Sequence, residues 1–514
     1  MSRNVPNNSR YRLAREQGTI IKDWGGRLPV ALVYPDSYYI GMSNLGIHTI
    51  YSLLNNNPSV VAERFFYEED RKKNPVQPLA IESERPLTDF PVIAFSVTWE
   101  PDFFHIPRLL KSAGIPLFSA ERDERHPLII AGGPCIMSNP MPLAPFFDCL
   151  CIGEAEALFP AMLPVLKKAS VENRPDVLKE LSKIPGLFVP RVDDAAPVRR
   201  QYVDSLDDCS SHSVIMTDDT ELSNLYMIEA ERGCSHACRF CLVSSIFSPV
   251  RYRSPETILK QAEEGLRYRK RIGLVGPDVS GHPQFQTILE NLRNVGAEIS
   301  VSSLRIKPLP AAALEELSEG KVKTVALAPE AGSQRLRSLI RKGIDEADIL
   351  EAMKQVASCG INQVKLYFMI GLPTETDEDA DEISALTMKC RAVIEDHCPG
   401  SRIVLSIAPF VPKAGTPFQR EGMAALSVLN RRIAAVKQRL TPSGITVKAD
   451  SPGWSRVQGV LSQGDEKLAD VLAGTPAISL PGWQKALQAH HLDEETYLTK
   501  KTETEILPWH RIQY

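Results

Sequence analysis

The sequence has no apolar run long enough to span a bilayer. Its start, Met1-Ser-Arg-Asn-Val-Pro-Asn-Asn8, has none of the apolar core that a signal peptide carries. A cytoplasmic protein with no membrane span is expected. Net charge is also small, −4 over 514 residues, so there is no general basic field for a polyanion and a nucleic-acid substrate is disfavoured. The densest cationic groups are Arg267, Arg269, Lys270 and Arg271, then Arg335, Arg337, Arg341 and Lys342; they fall on expected helix ends and faces and read as solvated surface. No repeat of solenoid length is present. Without a secretory signal the ten cysteines are expected to be mostly reduced, free to bind metal or fill cores, and disulfides are not expected. What is present is an ordinary balance of apolar and charged residues, long enough for two or three domains.

Periodicity separates the chain into stretches of different character. After an arm, residues 1–25, short apolar strands at 28–34, 92–96 and 128–131 alternate with helical stretches at 45–54 and 106–113. A further strand at 149–153 and a helix at 154–167 complete a parallel α/β rhythm, so residues 26–170 read as a Rossmann-like domain. Residues 171–222, with Pro185, Pro190, Pro197 and three acidic pairs, read as a connector with a few short strands. Residues 223–440 then hold six apolar strands, at 225–230, 272–275, 299–303, 324–328, 364–370 and 403–408, with helices between them. The first of these helices has Ser254 as N-cap, Pro255 at its first position, and Ile258, Ala262 and Leu266 on one side. Six βα units suggest a partial barrel, whose ligands would gather at the carboxyl ends of the strands. Residues 441–514 form a less regular carboxyl-terminal extension, with Trp454, Trp483 and Trp509 as packing anchors against the barrel.

Just after the first strand of the third stretch comes Glu231-Arg-Gly-Cys234-Ser-His236-Ala-Cys238-Arg-Phe-Cys241. Thiolates four and then three positions apart on one tight loop can each hold an iron of a cubane cluster. A cubane needs four ligands and no fourth cysteine lies nearby, which leaves one iron open to a small molecule. Two other readings of the same residues are a structural zinc site and three unrelated core cysteines. Zinc wants a closed set of four ligands, and His236 is poorly placed to be the fourth. The loop, with an aromatic residue before its last cysteine, resembles the radical S-adenosylmethionine superfamily, in which the open iron chelates the amino and carboxylate groups of S-adenosylmethionine.

That resemblance implies polar groups at other strand ends. Gly276-Pro277-Asp278, after the second strand, stands where the superfamily often has a Gly-Gly-Glu stretch that meets the methionyl ammonium; Asp278 can also be an ordinary turn residue. The third strand ends in Ser302-Ser303-Leu304-Arg305, giving serines for ribose hydroxyls and a guanidinium for a carboxylate. Pro329-Glu330-Ala-Gly-Ser333, followed by Arg335, Arg337 and Lys342-Gly343, resembles a segment of radical enzymes that modify RNA and proteins, with helix capping by Glu330 and Ser333 as its structural alternative. The fifth strand, ending in Gly371-Leu-Pro-Thr-Glu375, resembles the adenine-side segment, where a glycine would let backbone approach a flat base.

Radical enzymes with an amino-terminal Rossmann-like domain often bind cobalamin there through Asp-x-His-x-x-Gly, Ser-x-Leu or Ser-x-Thr, and Gly-Gly. The corresponding residues here are Asp36, Tyr38 and Gly41, then Ser96 and Thr98, then Gly132 and Gly133. Tyr38 replaces the cobalt-ligating histidine, and His48 on the next helix reads as a core or surface histidine. Two readings stand: cobalamin held without a protein ligand, or an inherited scaffold that binds no corrinoid. The second is preferred because nothing replaces the lost ligand.

The resemblance therefore implies a radical S-adenosylmethionine enzyme of the subgroup with a cobalamin-binding-like domain. It would carry a [4Fe-4S] cluster on Cys234, Cys238 and Cys241, cleave S-adenosylmethionine to a 5′-deoxyadenosyl radical, and abstract hydrogen from an unidentified small or macromolecular substrate. Its electron would come from a donor such as flavodoxin or ferredoxin. A cobalamin-dependent radical methyltransferase is the rival enzyme, and a non-catalytic iron-sulfur or zinc protein the rival of another class.

Overall fold

The computed structural model describes residues 9–68, 77–169, 171–192, 196–222, 224–301, 304–311, 313–315 and 324–514. They group into two units: Met1–Asn224 with Gly464–Asp493 and Ile506–Tyr514, and Leu225–Gln463 with Glu494–Glu505.

The first unit is built on β1 (Leu28–Tyr34), β2 (Val60–Phe66), β3 (Val92–Ser96), β4 (Leu128–Gly132), β5 (Cys149–Cys151) and β6 (Leu187–Phe188). Their order is β2-β1-β3-β4-β5-β6; the first five are parallel and β6 is antiparallel. This is a doubly wound order whose direction switches between β1 and β3, the place where such sheets take ligands. Strands covered on both faces need near-continuous apolar sequence, as in Leu-Pro-Val-Ala-Leu-Val-Tyr of β1. β2 was not expected, because Glu63-Arg64 interrupts its apolar run. Both are nevertheless buried: Trp24 Nε1 donates to Glu63 at 2.7 Å, and Arg64 pairs with Glu16 and Glu82 at 2.7 Å each.

The short strands expected of the connector join the first unit as β6 and a Gly153–Gln201 bridge. One expectation is corrected here. The carboxyl-terminal extension is not a single cover for the barrel, because most of it groups with the first unit. There Trp483 is fully buried edge-on to Phe104, at 5.5 Å between ring centroids, and Ile512–Gln513 pairs with Val198–Arg199.

The second unit has β7 (Leu225–Glu229), β8 (Arg271–Val275), β9 (Glu298–Val301), β10 (Thr324–Glu330), β11 (Gln363–Ile370), β12 (Arg402–Pro409) and β13 (Thr446–Ala449). They pair in parallel as β9-β8-β7 and as β10-β11-β12-β13. The α/β class and the six expected barrel strands are present, and β13 adds a seventh from the tail. Ser254 caps helix Pro255–Gly265 as its sequence predicts, accepting from the Thr257 N–H at 3.2 Å. Because strands within each set run parallel, their carboxyl ends share an edge, and the side chains that follow them can meet. Among the described residues no helix is long and apolar enough to cross a membrane.

Candidate functional site

The cysteine loop leaves β7 through Gly233, whose φ of +84° lies in the left-handed region, and a Cβ there would fall 2.5 Å from the Phe247 carbonyl. The loop is then fixed by its backbone. Arg239 N–H donates to Ile340 O at 3.0 Å, Phe418 N–H donates to Arg239 O at 3.2 Å, and Cys241 N–H closes a turn on Cys238 O at 3.1 Å. Phe240 packs on a cluster of Ala331, Leu336, Ile340, Leu372, Phe410 and Phe418. These contacts leave the three cysteine side chains half-buried, and all ten cysteines are free thiols.

Burial pushes the Cys238 thiol up to about 11 against the opposing charge of Lys342, and the other two thiols push the same way. Burial raises Cys234 as well, with Cys241 adding to it. Three thiols that feel one another suit a polynuclear centre, in which each binds its own iron and need not converge on a single ion. Among the described residues no group of three or more His, Cys, Asp or Glu side chains is arranged to hold a metal ion.

Two of the expected site residues, Asp278 and Arg305, meet beside this loop, together with His236. Asp278, after β8, is buried and holds Arg305 Nη1 at 3.0 Å, with His236 Nε2 at 3.3 Å from the same oxygen. Arg305 Nη2 lies 3.1 Å from His236 Nδ1. The other Asp278 oxygen, Oδ1, is buried without a hydrogen-bond partner. Burial raises the Asp278 carboxyl, opposed by Arg305. Glu231 lies beneath and accepts the Asp278 N–H; burial pushes it up to about 7. Its position depends on Gly276, where a Cβ would lie 2.4 Å from Glu231 Cγ.

Glu330 ends β10 in an unusual state. A one-residue bulge separates the pairs Leu327–Leu366 and Glu330–Phe368, and Glu330 has φ of +69°. Bulges and left-handed non-glycine residues re-aim side chains at a cost in backbone energy. The re-aimed carboxyl pairs with Lys342 Nζ at 3.2 Å, and burial raises it against that charge. Glu330 is therefore not a helix cap. Ser333 is, accepting the Leu336 N–H at 3.3 Å.

The reading of the second cationic cluster as solvated surface is wrong at two positions. Arg337 is 2% exposed and donates to the Ala331 and Gly332 carbonyls at 3.1 and 2.6 Å, while Lys342 is drawn in by Glu330. Gly371 has φ of +83°, and a Cβ would fall 2.6 Å from Leu429 Cδ2, so helix packing already requires glycine there. Its N–H donates to Glu375 at 2.6 Å, and Arg432 holds Glu375 at 2.7 Å. Ser302 and Ser303 lie outside the described residues.

In the first unit the corrinoid-type residues do sit at strand ends, but most have other partners. Tyr38 is fully buried: its hydroxyl donates to Glu16, its ring meets Phe66 edge-on, and the Arg12 guanidinium lies over it at 4.3 Å. His48 is buried too. Its Nδ1 accepts the Val214 and Ile215 N–H groups at 3.3 and 3.4 Å, so Nε2 carries the hydrogen and donates to Met42 O at 3.1 Å. Asp36 Oδ1 accepts the Ser37 N–H, and Thr98 Oγ1 bonds Tyr34 OH at 2.8 Å. Ser96 is buried in β3. A Cβ on Gly41 would lie 2.4 Å from Phe66, and one on Gly133, with φ of +109°, 2.4 Å from Val97 O; Gly132 has ordinary room. A cobalt ligand from Tyr38 or His48 does not fit this arrangement.

Comparison with known proteins matches residues 228–386 to the family model described as the radical SAM superfamily. Residues 46–190 match the model described as radical SAM proteins, N-terminal. Uncharacterized protein MJ0966 of Methanocaldococcus jannaschii is 30% identical over 446 residues, 86% of this chain and 90% of that protein. Ribosomal protein uS12 methylthiotransferase RimO of Thermodesulfovibrio yellowstonii is 24% identical over 172 residues, 30% of this chain and 39% of its own length. The solved cobalamin-dependent S-adenosylmethionine radical enzyme OxsB with aqua-cobalamin bound shares the fold, with a TM-score of 0.52 at 14% identity over 90% of this chain and 71% of that one.

Proposed function

The chain belongs to the radical S-adenosylmethionine superfamily, and from that premise we propose that Cys234, Cys238 and Cys241 hold a [4Fe-4S] cluster at which S-adenosylmethionine is cleaved reductively. When bound and reduced, such a cluster supplies the electron that splits S-adenosylmethionine into methionine and a 5′-deoxyadenosyl radical, which takes hydrogen from a substrate. The chain's own residues orient the ligand and keep water away. Asp278 Oδ1, buried and without a partner, is the acceptor for the methionyl ammonium. Arg305 offers N–H donors to the carboxylate, and Glu330, held by Lys342, offers an acceptor at the end of the fourth barrel strand. Ser302 and Ser303 as ribose contacts and the backbone at Gly371 as the adenine side belong to the same proposal. A flavodoxin- or ferredoxin-like protein is the electron donor, and the substrate is left unassigned.

The observation that carries this reading is the half-buried triple-thiol loop beside a buried carboxylate and guanidinium from the next two strand ends. Anaerobic reconstitution followed by reduction with dithionite tests it. Four irons per chain and 5′-deoxyadenosine are expected, both lost when any one of the three cysteines becomes alanine. Stoichiometric zinc, no iron uptake and no 5′-deoxyadenosine would replace the proposal with a structural metal site.

For the first unit we propose a retired corrinoid scaffold, because the phenol at the ligand position is bonded into the core. Gel filtration after incubation with hydroxocobalamin should leave the protein colourless at corrin wavelengths. Stoichiometric retention, with methylated product, would promote the methyltransferase reading.

A further inference from the structure

His236 sits between two cysteines and has no part in the chemistry above, yet its ring is hydrogen-bonded on one side and faces a carboxylate on the other. Arginine offers only donors, so Arg305 Nη2 donates to His236 Nδ1 at 3.1 Å. The imidazole hydrogen is then on Nε2, a buried atom that lies 3.3 Å from Asp278 Oδ2 without making a hydrogen bond to it. Arg305 Nη1 reaches that same oxygen at 3.0 Å and closes a three-membered ring of side chains. The ring is itself supported: Glu231 accepts the Asp278 N–H, and Gly281 leaves room for Asp278 Oδ2, which a Cβ there would meet at 2.3 Å. The cysteine loop, the turn after β8 and the segment after β9 thus meet through one histidine.

We propose that His236 is a positioning residue that pins the cysteine loop to Arg305 and Asp278, fixing the presentation of the thiols and the aim of the guanidinium. What the loop presents its thiols to rests on the function proposed above; the ring does not. Its test therefore starts with cluster-free, reduced protein. Iodoacetamide alkylation of Cys234, Cys238 and Cys241 is timed by mass spectrometry in the wild type, His236→Ala and His236→Gln. Glutamine can accept from Arg305 with its amide oxygen and donate toward Asp278 with its nitrogen.

Alanine should speed alkylation at the loop roughly ten-fold and glutamine should restore most of the protection, while fully buried Cys390 stays unreactive in all three as the measure of an intact fold. After reconstitution, S-adenosylmethionine should bind His236→Ala more weakly, again with rescue by glutamine. Equal alkylation in the alanine variant and wild type, or a glutamine variant that behaves like alanine, would overturn the proposal. Failure of the functional reading would look different: no 5′-deoxyadenosine from wild-type protein, with the alkylation pattern intact.

Discussion

At the carboxyl edge of the first sheet, Tyr38, His48, Gly41 and Gly133 are each engaged by the core of their own unit. At the corresponding edge of the second unit, Glu231, His236, Asp278 and Arg305 engage one another around three thiols. Both edges obey the rule that parallel sheets offer ligand sites at their carboxyl ends. The difference lies in where the polar atoms are used up. Hydrogen bonds to Glu16 and to Met42 O leave the first unit's aromatic and imidazole groups nothing to give a ligand, whereas Asp278 keeps an oxygen unused. A motif position at a strand end makes a residue eligible for a ligand, and its hydrogen-bond partners decide whether it is available.

The sharpest way to break this contrast is to attack the buried charges that hold the first unit's edge closed. Arg64 is 1% exposed and pairs with Glu16 and Glu82, themselves almost fully buried. Arg64→Met should destabilise the first unit by about 3–5 kcal/mol, because it strands two buried carboxylates. Adding Glu16→Gln should recover part of that loss, since the two sites share one interaction. Urea unfolding of the single and double variants checks this; additive losses would mean that the pair does not act as a unit.

A second expectation follows from His48. Burial holds its folded pKa at about 4, and both ring nitrogens are committed as a neutral tautomer. The folded value lies below the unfolded one, near 6.5, so its contribution is complete above pH 6.5 and is lost as pH falls toward 4. That loss should reach roughly 3 kcal/mol across the window. His48→Gln should flatten this part of the stability profile relative to wild type, as read from urea midpoints at several pH values. An unchanged slope would place the acid sensitivity elsewhere.

In the second unit, Arg305→Ala and Glu330→Ala should weaken S-adenosylmethionine binding while leaving the iron content and cluster absorption unaltered. Charged hydrogen bonds of this kind are worth about 1.5–3 kcal/mol each, which is ten-fold or more in affinity. Equilibrium dialysis on reconstituted protein measures it. Unaltered affinity in both would reduce the ring around Asp278 and the Glu330–Lys342 pair to internal supports.

Much of this contrast was legible in the sequence, though unevenly. The cysteine spacing and most strands of the two units are local signals, so Cys234, Cys238 and Cys241 and the order of βα units could be read directly. β2 could not, because its central Glu63 and Arg64 are satisfied by Trp24, Glu16 and Glu82, which are close only in the fold. The inward turn of Arg337 and Lys342 was hidden for the same reason: a cationic run looks solvated until carbonyls and a carboxylate are found behind it. His236 was set aside as a zinc ligand, and its link to Arg305 spans 69 positions of sequence. Tyr38 was recognised as an unusual residue at a ligand position, while its partner Glu16 lay in a stretch read only as an arm.

That last partner sets the smallest expected effect. Tyr38→Phe keeps the ring between Phe66 and Arg12 and removes only the hydroxyl that Glu16 accepts. Glu16 still receives two Arg64 N–H groups, at 2.9 and 2.7 Å, so it is not left unpaired. The loss should be about 1–1.5 kcal/mol in urea unfolding, the ordinary net worth of one hydrogen bond. Cobalamin retention should stay as it is in the wild type, because the phenol points into the core. Tyr38→His should gain no cobalt ligation either: the imidazole would stand in the same buried pocket, beside Glu16. Corrinoid captured by the histidine variant and not by the wild type, seen as a shifted corrin absorption after gel filtration, would mean that this position can turn outward and that the first edge is closed by its side chain alone.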